Sequence, residues 1–157
     1  SMSWVYSCGA GANYGTALES ALKMGETIHI PSCCYEIEEY IHGPNLQLTP
    51  QYNVIFFDGN DGASLRVEQV YKATRKVSNR AYLISNNPQL SSDDHVLSLS
   101  DTVSSELCPL VYLPFVQLLS FIVSNDLHSI YQHPLLKEFK AIAAAKTENF
   151  VNYDGDD

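Results

Sequence analysis

Apolar and polar positions change period along this chain, so that short strands alternate with helices. Trp4–Cys8 is a β-rich run followed at once by Gly9-Ala10-Gly11, the strand, glycine loop and helix order that opens α/β sheets. From about Tyr14 to Glu26 the period is helical. Leu18, Ala21 and Leu22 share one face there as the predicted docking stripe, and Gly25 marks a break. His29-Ile30-Pro31 reads as an extended link, and Ser32 as the start signal of a short helix, Tyr35–Ile41, stopped by Gly43-Pro44. Asn53–Asp58 (NVIFFD) is an unbroken apolar run, the pattern of a strand covered on both faces. A helix is predicted over Ser64–Val77, with Leu65, Val67, Val70, Tyr71 and Thr74 inward, then strands at Ala81–Ser85 and His95–Leu99. Pro109–Asp126 is the most apolar helix, with Pro114 near its first turns, and Lys140–Lys146 a last helical turn. Crossovers of this length imply right-handed parallel pairing. The predicted fold is therefore α/β, a three-layer sandwich with an open, mainly parallel sheet flanked by helices, flavodoxin-like in outline.

Composition narrows the class. At 157 residues, 45% hydrophobic and 17% charged, the chain suits one globular domain, expected over residues 3–150 with an acidic frayed tail at 151–157. Ser1-Met2 reads as a processing scar on a domain cut from a longer chain, and is left out of fold reasoning. Nine Lys and Arg stand against eighteen Asp and Glu, a net charge of −9; with no basic face, no nucleic-acid partner is expected. No apolar run is expected to reach membrane-span length, and no membrane partner is expected. Cys8, Cys33, Cys34 and Cys108 lack the paired spacing of a zinc site. Buried, reduced cysteines in a cytoplasmic protein are the expectation, and no metal is.

The candidate chemistry lies between Ala17 and Pro44. Glu19, Lys23 and Glu26 fall at i, i+4 and i+7, along one helical face. Spacing alone describes an exposed ion-pair stripe. His42 precedes Gly43-Pro44 and could simply cap a helix end. A carboxylate and an imidazole are nonetheless the common proton carriers of catalysis. The glycine loop fails the dinucleotide fingerprint, because Tyr14 stands where a third glycine is required.

The coupled patterns ALESALKMGE and EEYIHGP, followed by AAAKTENF, resemble the second half of double sugar-isomerase (SIS) domain proteins. These include the isomerase domain of glutamine–fructose-6-phosphate aminotransferase and the fructosamine-6-phosphate deglycases. The resemblance implies a ketose or ketosamine 6-phosphate substrate and isomerase or deglycase chemistry without a cofactor. It makes Glu26 the base that moves a proton between C1 and C2, His42 the ring-opening or proton-donating histidine, and Lys146 the lysine of a closing tail. It sets Lys23 and Ala145 on the substrate. It also implies a homodimer or higher oligomer with a shared site, and an N-terminal SIS domain in the full protein. Two departures stand out. Gly25 replaces a second lysine of the aminotransferase pattern, and Asp58–Ser64 occupies the place of the Ser/Thr-rich phosphate loop. A non-catalytic phosphosugar-sensing module is the alternative.

Overall fold

The structure, a computed structural model, describes residues 4–99, 103–129 and 136–143. Five strands form one sheet: β1 (Val5–Gly9), β2 (Ser32–Glu36), β3 (Asn53–Asp58), β4 (Ala81–Ser85) and β5 (Val96–Ser98). All neighbours are parallel and the order is β2-β1-β3-β4-β5. Ser7 of β1 lies between Cys34 of β2 and Ile55 of β3, so the order reverses beside β1. Helices α1 (Asn13–Ile28) and α4 (Cys108–Asp126) cover one face; α2 (Ile37–Ile41) and α3 (Ser64–Arg75) cover the other. A fifth helix, α5, spans Leu136–Ala143. The predicted α/β sandwich is the observed one, and the sheet is wholly parallel.

β3 is buried at all six positions, as its apolar run requires, and its side chains alternate between two cores. Val54 and Phe56 join Tyr40 and Tyr71 beneath α2 and α3, while Ile55 and Phe57 meet Met24 and Tyr112 beneath α1 and α4. Two glycines make the β1–α1 junction. A Cβ on Gly9 would lie 2.3 Å from the Asn13 carbonyl oxygen, and Gly11 adopts φ +54°, a value glycine reaches without strain. Close strand–helix approach thus accounts for Gly9 and the left-handed turn for Gly11.

Several expectations are corrected. The break near Gly25 is absent: α1 runs on to Ile28 and ends at His29, which takes a left-handed conformation with φ 59°. Ala21 docks the helix as expected, but Leu18 and Leu22 are half exposed; Ala17, Met24 and Ile28 take their place, because the sheet lies on their side. Ser32–Glu36 is a strand, and Glu36 rather than a serine caps α2, its carboxylate accepting from the Glu38 N–H at 2.6 Å. Leu65 points outward at 70% exposure. Pro109 occupies the first turn of α4 and Pro114 its interior. Among the described residues the last helix begins at Leu136, before the expected Lys140, and the end of that expected turn lies outside them. Cys33 is exposed, whereas Cys8 and Cys108 are buried. Ser105–Asp126 is long and apolar enough to cross a membrane, with hydropathy 1.9, against the expectation that no run reaches that length. Its row Cys108, Tyr112, Val116, Ser120 and Ser124 is buried in the sandwich, while Leu110, Leu118 and Phe121 face outward.

Burial pushes the phenols of Tyr6, Tyr40, Tyr71 and Tyr112 above the ordinary tyrosine range. Unfolded tyrosines ionise near pH ~10, and the folded ones later. Their contribution is therefore full below about pH 10 and is lost as pH rises beyond it. Urea midpoints measured from pH 8 to 11 are expected to fall on the alkaline side. Tyr40→Phe, which removes one such phenol and its bond to Thr74, is expected to flatten that fall.

Candidate functional site

The i, i+3 and i, i+4 spacings on α1 close into contacts. Lys23 Nζ lies 2.8 Å from Glu26 Oε2 and 3.5 Å from Glu19 Oε1, all three side chains partly exposed. The bond to Glu26 holds the Lys23 ammonium above its ordinary value, with Glu19 adding to the effect. Lys23 is thus a fixed cation that clasps the Glu26 carboxylate against the last turn of α1. Thr27 ties that turn to the Lys23 carbonyl at 2.7 Å, and Ser129 Oγ reaches the Thr27 carbonyl at 2.6 Å.

Beside Glu26, α1 and β2 frame an open-mouthed shelf of about 580 Å³ lined by Leu18, Ala21, Leu22 and Gly25, with Ser32 and Cys34 across from them. Tyr14 lines it as well, and the nearby Cys34 thiol pushes its phenol above the ordinary tyrosine range. Burial, the larger effect, pushes that thiol up, so Cys34 is not a ready nucleophile. Sequence reasoning missed Ser32 and Tyr14 as lining residues. The one was read as a helix cap and the other as a failed glycine; Ser32 reaches the shelf on β2 and Tyr14 on the first turn of α1.

His42 ends α2, and its Nδ1 sits 2.6 Å from the Glu38 carbonyl oxygen. A carbonyl can only accept, so Nδ1 carries a proton, and in the neutral ring the lone pair then sits on Nε2. Arg66 of α3 anchors the same turn through Glu38 at 2.7 Å and holds that carboxyl below its usual range. The structure brings Lys23 and Glu26 together but not His42: α1 packs on one face of the sheet and α2 on the other. Ala145 and Lys146 lie outside the described residues.

The Asp58–Ser64 loop is knotted on its own carboxylates. Asp58, fully buried, accepts from the Asn60 N–H at 3.0 Å, from the Ser85 hydroxyl at 2.7 Å and from the Ser64 hydroxyl. Asp61 accepts from the Ala63 N–H at 2.8 Å. The Asn60 and Ala63 N–H groups are thus taken by internal carboxylates, and the added negative charge opposes a second anion. The loop is a turn held by its own side chains.

No protein-family model matches the chain, and no curated protein does. Solved structures do. A Clostridium difficile 630 protein provisionally described as a phosphosugar isomerase superposes with a TM-score of 0.76 over 92% of this chain and 40% of that one, at 21% identity. Tagatose-6-phosphate ketose/aldose isomerase from Escherichia coli gives 0.68 over 79% and 36%, at 20% identity. The C-terminal domain of glucosamine-fructose-6-phosphate aminotransferase from Francisella tularensis gives 0.66 over 78% and 35%, at 24% identity. This is an open, parallel α/β sandwich with the fold of these phosphosugar-isomerase (SIS) domain proteins. The chain spans 35–40% of the length of these three matched structures.

Proposed function

We propose that the chain is the catalytic-carboxylate half of a phosphosugar enzyme acting on ketose or ketosamine 6-phosphates. The observation that carries this reading is the Glu26 carboxylate, clasped by Lys23 at 2.8 Å and standing at the mouth of a ligand-sized shelf. Small-molecule sites commonly enclose ~300–1,000 Å³. Glu26 removes a proton from C1 of the open-chain sugar, giving an enediol, or an enaminol where C1 bears nitrogen. Reprotonation at C2 completes the transfer. From a ketosamine this leaves a C1 imine, which water hydrolyses to hexose 6-phosphate and free amine. His42, with its Nε2 lone pair available, assists ring opening. Because His42 and Glu26 lie on opposite faces of one sheet, a site using both takes them from two copies. Lys146 closes the site as an electrostatic partner of the developing oxyanion. The phosphate grip comes from a second SIS-type unit, since the Asp58–Ser64 loop spends its own donors.

Full-length protein incubated in D2O with fructosamine 6-phosphate or fructose 6-phosphate is expected to incorporate deuterium at the carbon that receives the proton, read by NMR. Tight sugar-phosphate binding with neither exchange nor product would instead make the domain a sensing module of a regulator.

A further inference from the structure

A Cβ built on Gly25 meets nothing within 4 Å, and the space it leaves is part of the shelf beside Glu26. The α1 wall of that shelf is apolar: Leu18 and Leu22 are 50% and 51% exposed, surface that a ligand would take out of water. Its charge is set by the stripe on α1. Lys23 is committed to Glu19 and Glu26, which leaves the mouth one unit net negative and without a spare cation among the shelf-lining residues. A carboxylate or phosphate there would meet repulsion without a partner, whereas an uncharged apolar group would be favoured. Ser32, across from Gly25, has a buried hydroxyl with no hydrogen-bond partner among the described residues, and such a group gains when a ligand supplies one.

We propose that this shelf is a subsite for the amine substituent of a ketosamine 6-phosphate, selecting an uncharged, apolar one such as an aromatic or branched aliphatic amine. The inference rests on the proton-transfer reading above. Glu26 borders both the reacting carbons and the shelf, so a substituent on the C1 nitrogen falls directly onto Leu18 and Leu22. Ser32 would bond the nitrogen or its neighbouring polar atom.

The test uses full-length protein and three fructosamine 6-phosphates whose nitrogen carries hydrogen, a benzyl group or the carboxymethyl group of glycine. Burying a phenyl group is worth ~1.5–3 kcal/mol. The benzyl conjugate is therefore expected to exceed the unsubstituted one in kcat/KM by about tenfold or more, with the glycine conjugate slowest. Gly25→Leu, which fills the opening, is expected to bring the benzyl preference down towards one. Equal rates on all three, or a preference for the glycine conjugate, would overturn the subsite and leave the proton-transfer reading standing. No turnover of any of them, the unsubstituted compound included, would overturn that reading and the subsite with it.

Discussion

Glu26→Gln is expected to cut turnover by about 10²–10⁴-fold, the range for removing a positioned general base, while KM changes little. Glutamine keeps the shape of the side chain and can still accept from Lys23, so the last turn of α1 should hold its place. The lost group is the one that takes the proton, which puts the defect in kcat rather than in substrate binding. Unfolding is a poor alternative explanation, because a partly exposed ion pair contributes only ~0–1 kcal/mol. Glu19→Gln supplies the control. It removes the charge facing Lys23 at 3.5 Å and leaves the 2.8 Å ion pair, and should change kcat by no more than about twofold to threefold. If the two variants lose activity equally, the stripe is an ion-pair network and Glu26 is not the base. Deuterium exchange into substrate offers a second readout, since it should vanish with Glu26 even where product release limits the overall rate.

The parts of this fold legible in the sequence were those whose pattern agrees with their burial. NVIFFD is buried at every position, and no helix or loop would hide six such residues in a row. β2 was missed because Ser32–Glu36 is an edge strand whose side chains are half-buried or exposed. Nothing in SCCYE alternates; its extended form comes from pairing Ser32 to Glu36 against Val5 to Gly9. That omission also hid the layout of the site. Without a strand between them, nothing in the sequence shows that the chain crosses the sheet from Glu26 to His42. With it, the chain crosses the sheet and the two residues part to opposite faces. Leu18 and Leu22 misled for a related reason: periodicity identifies an apolar face but not which of two faces meets the sheet, and α1 has both. The Asp58 knot has no sequence signature, because its bond to Ser85 depends on β3 and β4 being neighbours.

Phe56→Ala is expected to destabilise the protein by about 3–5 kcal/mol, the usual cost of deleting a fully buried aromatic ring. Phe56 has no exposed surface and lies at the middle of β3, between Cys8 of β1 and Leu83 of β4. Its ring meets Tyr40 of α2 edge-on with centroids 5.8 Å apart, and Tyr71 of α3 at 6.0 Å. Neither neighbour can collapse freely into the space, since Tyr40 is bonded to Thr74 at 3.1 Å and Tyr71 to Asp93 at 2.9 Å. A cavity should therefore persist, which places the cost towards the upper end. Against a typical total stability of ~5–15 kcal/mol, the variant should unfold at a Tm lower by roughly 6–20 °C. Its urea midpoint should fall without a change in slope. The effect should also reach the candidate chemistry, because α2 carries His42 and is seated on this cluster through Ile37 and Tyr40. If stability falls by less than about 1 kcal/mol, the aromatic cluster is not tightly packed, and the orientation of His42 set by its bond to Glu38 would have to be held by the Arg66–Glu38 pair alone.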